Sequence, residues 1–143
     1  MKQRMFLTGV WIGSFVICLL IVESYIGKTN ALGQRILLSE DRLPTLAPLF
    51  KLYGAYIGGI LAFWYLQPLR VANPDRATKI RFALAVICTV LFNIVIFWLT
   101  AGEYRSPGGN VLVDVSNAGT LGAWLSLLVA PLNAYYFGMR MPE

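Results

Sequence analysis

Four long apolar stretches dominate this chain, and little polar sequence separates them. They cover about Phe6–Ile26, Leu49–Leu66, Ile80–Thr100 and Ser116–Phe137, each near the roughly 20 residues that a helix needs to cross a bilayer. Inside lipid a segment must satisfy its own backbone, and an α-helix does so without a partner. The pattern therefore predicts an all-α membrane protein, a four-helix transmembrane bundle that forms one integral membrane domain over residues 1–143. The longest connection, Gly27–Pro48, has about 22 residues and leaves no room for a separate globular domain. Charged residues make up only 13% of the chain, about half the share of a soluble domain.

The net charge of +5 does not point to nucleic acid, because the basic residues are scattered near span ends rather than gathered on one face. Topology explains them better. One side holds Lys2, Arg4, Arg70, Arg76, Lys79, Arg81 and Arg140; the other holds Lys28, Arg35, Arg42, Lys51 and Arg105. The first set is larger and lies in shorter segments, so the positive-inside rule puts both termini in the cytoplasm, with the chain in the plasma (inner) membrane. The run from Phe6 to Val22 has no small-x-small cleavage site after it, which makes it a retained first helix rather than a signal peptide.

Several chemistries drop out. The sequence has no histidine, which removes histidine-ligated haem, most transition-metal sites and Ser-His or Cys-His catalysis. Cys18 and Cys88 fall mid-span at different depths and form no CxxC pair. Phosphate loops, Rossmann glycines, GxSxG and HExxH are absent. The expectation is no enzyme, no cofactor and no metal.

Small residues at four-residue spacing let membrane helices approach closely. Such stripes occur at Gly9 and Gly13, at Gly54, Gly58 and Ala62, and at Ala118, Gly122, Ser126, Ala130 and Ala134. They serve packing within one protomer or an oligomer interface, and the first reading is favoured. The third helix, with Val86, Leu91, Phe92, Ile94 and Phe97, reads as the most lipid-facing. Tyr25, Tyr53, Tyr56, Trp98 and Tyr104 are expected at the outer interface, and Trp64, Tyr65, Tyr135 and Tyr136 at the inner one. Trp11 and Trp124 are expected between helices. Outside, Ala31–Leu38 reads as a short interfacial helix, Ser106–Asn110 as a turn, and Val111–Val115 as strand-like. Asp75 is a candidate cap for a third helix that starts near Arg76.

Five polar residues in or beside the spans are candidates for a polar path: Glu23, Thr89, Asn93, Ser126 and Asn133. An intramembrane acid is a default functional hypothesis, although Glu23 lies about one turn from a span end and can pair with Lys28, Lys51 or Arg105. The buried amides also suit plain interhelical hydrogen bonds. Pro131 is a kink or a gating hinge, and it frees a carbonyl near Leu127 for Ser126 or Asn133. Arg70, Arg76, Lys79 and Arg81 form a basic edge for anionic head groups or a cytoplasmic protein. The favoured function is a homo-oligomeric channel-like or pore-forming component; the alternatives are a non-catalytic anchor or regulatory subunit of a larger membrane complex, and a small secondary transporter coupled through Glu23. The partners implied are the lipid bilayer, further copies of the chain, and another membrane or cytoplasmic protein.

Overall fold

Unbroken apolar sequence gives long helices, and capping and turn residues set where they stop. The computed structural model describes residues 2–30, 33–66, 76–105 and 109–138. Helix α1 (Lys2–Tyr25) ends at Gly27, whose φ of 76° is a left-handed turn that glycine adopts without steric cost. Isolated bridges from Ile26 to Leu37 and from Thr29 to Arg35 then close a small clasp. The interfacial helix expected over Ala31–Leu38 is therefore replaced by a turn over its described part; Ala31 and Leu32 lie outside the described residues. Gly33 has φ 74°, and the Asn30 side chain accepts the Gln34 amide at 3.0 Å. Both features favour a turn over a helix.

A 3-10 turn at Ser39–Asp41 runs into α2 (Arg42–Leu66), which starts seven residues before the expected Leu49. Pro44 is tolerated in its first turn, where no amide donor is needed. Helix α3 (Arg76–Thr100) begins where expected, although its candidate cap Asp75 and the basic-edge residue Arg70 lie outside the described residues. After the short α4 (Gly102–Arg105), helix α5 (Val111–Gly138) takes in the stretch expected to be strand-like. Asn110 explains the change: its side chain accepts the Val113 amide at 3.3 Å, an N-cap that starts a helix despite β-branched residues. Of the turn expected at Ser106–Asn110, residues 106–108 lie outside the described residues.

The fold is all-helical, and α1, α2, α3 and α5 are each long and apolar enough to cross a membrane. Helix α1 packs on α2 and α3, and α5 packs on the same two. Helices α2 and α3 are thus opposite corners of the bundle. Trp64 near the end of α2 donates to Thr8 near the start of α1 at 3.0 Å, so these two run antiparallel. Tyr25 at the end of α1 donates to the carbonyl of Thr100 at the end of α3 at 3.0 Å, so those run parallel. Pro48 meets Gly119 and Leu52 meets Gly122, which makes α2 and α5 parallel too.

The core holds Leu7, Trp11, Tyr53, Phe92, Ile96 and Val115. Trp11 stacks on Tyr56 with ring centroids 4.1 Å apart. Three aromatic expectations are corrected. Tyr53 is fully buried rather than interfacial, because the earlier start of α2 moves it three turns into the bundle. Trp124 is 70% exposed on the outer surface rather than held between helices. Tyr56 is likewise half-buried against the core. The side chains of Tyr65, Tyr135 and Tyr136 fall outside the described residues. Helix α3 is not the most lipid-facing: its apolar window is 28% buried against 22% for that of α5, since Phe92, Asn93 and Ile96 turn into the bundle centre.

The five-residue stripe of α5 does not stay on one face. Ala118 and Gly122 are buried, Ser126 is half-buried, and Ala130 and Ala134 are exposed. A helix turns about 100° per residue, so each four-residue step drifts by roughly 40°. The close contacts of α5 with α2 are at Gly119, where an added Cβ would lie 2.6 Å from the Pro48 ring, and at Gly122, where it would meet Leu52 Cδ2 at 2.5 Å. Gly9, Gly13, Gly54 and Gly58 have nothing within 4 Å of that position.

These contacts predict a graded series. Gly119→Ala pushes on a rigid ring and is expected to destabilise the bundle by about 1–3 kcal/mol. Gly122→Ala meets flexible side-chain ends and is expected to cost less. Gly58→Ala is expected to stabilise slightly, by up to about 1 kcal/mol, through helix propensity. Reversible unfolding in mixed micelles checks the order; a Gly58→Ala loss as large as that of Gly119→Ala would contradict it.

Candidate functional site

Polar side chains held in an apolar interior must find partners, because an unpaired amide or hydroxyl there is costly. The described spans answer this with one hydrogen-bonded chain through the bundle centre. Tyr53 of α2 donates its hydroxyl to Asn93 Oδ1 of α3 at 2.7 Å, across the diagonal. Cys18 Sγ of α1 lies 3.6 Å from that hydroxyl; with the phenol proton directed at Asn93, the thiol is the donor. Asn93 Nδ2 donates to the Thr89 carbonyl at 2.8 Å. Asn133 Nδ2 of α5 donates to Thr89 Oγ1 at 3.2 Å and to the Val129 carbonyl at 3.0 Å. One residue or more from each long helix takes part, and Thr89, Asn93 and Asn133 are buried. Asn133 Oδ1 has no hydrogen-bond partner. Trp11, Tyr56 and Phe92 wall the chain on one side.

The structure thus brings together Thr89, Asn93 and Asn133 and separates the other two path candidates from them. Glu23 sits at the far end, where Arg42 Nη2 lies 2.6 Å from Glu23 Oε1 and Arg42 Nε donates to the same oxygen at 2.7 Å. Its partner is Arg42 rather than the expected Lys28, Lys51 or Arg105, because the early start of α2 carries Arg42 beneath the end of α1. Lys28 donates instead to the Tyr104 hydroxyl at 3.1 Å. Ser126 donates to the Ala123 carbonyl at 2.6 Å and faces a groove between α2 and α5. Helix α5 continues through Pro131, and Ser126 and Asn133 bond the Ala123 and Val129 carbonyls rather than that of Leu127. Of the basic edge, Lys79 is exposed and Arg81 half-buried; the Arg76 side chain is outside the described residues.

Two members of the central chain were not apparent from sequence. Tyr53 reads as an interfacial aromatic only while α2 is started at Leu49. Cys18 reads as a small hydrophobe until Tyr53 is placed beside it. The usable signal was their depth: Tyr53 lies eleven residues after Arg42, about 16 Å at 1.5 Å per residue. The chain holds no carboxylate and no basic side chain, so it carries no charged group for acid–base exchange at neutral pH. What it does is tie the rotation and depth of the four helices together, through the bonds that cross between them: Cys18 with Tyr53, Tyr53 with Asn93 and Asn133 with Thr89.

The second feature is the groove between α2 and α5, a cavity of about 770 Å³ whose walls include Pro48, Lys51, Tyr56, Thr120 and Ser126. No protein-family model, curated protein or solved structure matches this chain.

Removing the phenol tests the chain directly. Tyr53→Phe leaves Asn93 Oδ1 without its donor, and Asn93→Leu removes the acceptor. Each is expected to destabilise the bundle by about 1–2 kcal/mol, with a coupling near 0.6–1.7 kcal/mol in the double-mutant cycle. Unfolding in mixed micelles measures it; strict additivity would show that the two groups do not interact.

Proposed function

We propose that this chain is a non-catalytic subunit of a membrane assembly, joined to a neighbouring transmembrane helix through the glycine face of α2. The observation that carries this reading is the open surface along that face. Gly54, Gly58, Gly59 and Ala62 are exposed, and nothing lies within 4 Å of a Cβ built on any of the three glycines. Lipid gives apolar side chains no reason to leave it, so small residues favour association by letting backbones touch. Within the protomer that role belongs to Ala118, Gly119 and Gly122, which leaves the α2 glycines available for another chain. The charge bias supports cytoplasmic termini in a plasma (inner) membrane.

A pore through one protomer has less support, because Thr89, Asn93 and Asn133 are engaged with one another. Coupled transport through Glu23 is weakened by its ion pair with Arg42. A pore between copies is the second reading, favoured by Ser116, Asn117 and Thr120, which are exposed together near the start of α5.

Native mass spectrometry from nanodiscs tests the proposal. The wild-type chain is expected to appear with further copies or with a stoichiometric second protein. Gly58→Leu, which meets nothing inside the protomer, is expected to weaken that association by about tenfold while helix content stays the same. A wild-type monomer with no companion, or an assembly indifferent to Gly58→Leu, would end this reading. A homo-oligomer that conducts ions, with conductance altered by Thr120→Leu, would favour the pore.

A further inference from the structure

An ammonium group within a membrane helix is costly unless it reaches the interface or meets an anion. Lys51 is in this position. It lies nine residues after Arg42 on α2, about 14 Å along the helix at 1.5 Å per residue, and it is exposed. Among the described residues it makes no hydrogen bond or ion pair; the acid nearest the end of α1, Glu23, is held by Arg42.

Lys51 also borders the α2–α5 groove, whose volume of about 770 Å³ is in the range of small-molecule sites, roughly 300–1,000 Å³. The groove runs from Ser116 to Ala130 along α5, about 21 Å by helical rise. That exceeds one leaflet, half of a hydrocarbon core of about 30 Å. Its chemistry is graded along this length. Ser116, Thr120 and the Lys51 ammonium lie toward the Arg42 end, while Leu52, Ala55 and Ala130 lie deeper. The small side chains leave the volume, and the close Pro48–Gly119 contact forms its back wall. At the deep end the buried Tyr56 hydroxyl lies beside the Ser126 side chain.

We propose that this groove binds one anionic phospholipid from the leaflet at the Arg42 end. The lipid phosphate pairs with Lys51 and accepts hydrogen bonds from the Ser116 and Thr120 hydroxyls, and one acyl chain lies along Ala55, Ala123 and Ala130. The charge argues for an anionic lipid over a zwitterionic one, and the apolar depth argues for a lipid over a free anion. This site is separate from the glycine face invoked for assembly, and each can fail without the other.

The test is lipid retention in native mass spectra of the full chain, extracted from vesicles of equal phosphatidylglycerol and phosphatidylcholine. The wild-type chain is expected to retain one phosphatidylglycerol in preference to phosphatidylcholine. Lys51→Gln is expected to reduce that preference about fivefold, the effect of one basic residue near an anionic head group. Lys79→Gln, an exposed charge at the other end of the bundle, is expected to leave it unchanged. Ala123→Leu is exposed and fills the groove, so it is expected to abolish retention of both lipids with helix content intact. Gly58→Leu, which does not border the groove, keeps the lipid even where assembly is lost. The proposal is overturned if no lipid is retained, if Lys51→Gln and Lys79→Gln act alike, if inorganic phosphate alone displaces the bound species, or if a second polypeptide occupies the groove in place of lipid.

Discussion

The bond from Tyr53 to Asn93 is the interaction on which the rest of the bundle depends. It crosses the diagonal between α2 and α3, and it brings the phenol into the centre beside Cys18. In lipid the hydrophobic effect does not draw one apolar helix to another, so packing and polar contacts must set the arrangement. Shape complementarity alone would allow a helix to rotate or slide by a residue. A buried amide that must face a particular hydroxyl does not allow it, because the shifted state leaves both groups unpaired in a medium of low polarity. The continuation through Thr89 to Asn133 extends that constraint to α5.

The ends are held differently. Glu23 with Arg42, and Tyr104 with Ser24 and Lys28, are exposed polar contacts near the clasp, where water competes and each pair contributes little. At the other end Arg4 stacks over Phe63 at 4.6 Å, and Thr8 accepts from Trp64. The rigid part is therefore the middle. Its stiffness comes from aromatic stacking around Trp11 together with the polar chain, and the glycine and alanine contacts bring α2 and α5 close on one side only.

Much of this architecture is legible in the sequence. Apolar length gives the four helices, and buried Asn93 and Asn133 in an apolar run announce that partners must exist. The partners themselves are not legible, because a hydroxyl or thiol on another helix is identified only by rotation and depth. The start of α2 shows how one error spreads. Pro44 and Pro48 suggest a break before Leu49, yet both fit within the helix, and the shift moves Tyr53 from interface to core and Arg42 to Glu23. The small-residue stripe of α5 shows a second limit. Spacing by four marks a neighbourhood rather than a straight line, so Ala118 and Ala134 end on different faces. Gly119, outside the stripe, approaches α2 about as closely as Gly122 within it, and against a rigid ring.

Parallel neighbours have an electrical consequence. Helix α2 lies beside α5 with both N-termini at the Arg42 end, while α1 lies beside α3 with both C-termini there. Each helix end carries roughly half an elementary charge, positive at the N-terminus and negative at the C-terminus. A bundle of strictly alternating helices would cancel these charges between neighbours. Here they add in pairs, so that end of the molecule is polarised sideways, positive over the α2–α5 seam and negative over the α1–α3 seam. The opposite end carries the reverse pattern. The protein thus carries two opposed lateral dipoles, one at each end of the bundle, and backbone direction as well as side chains contributes to the field that charged neighbours in the bilayer meet.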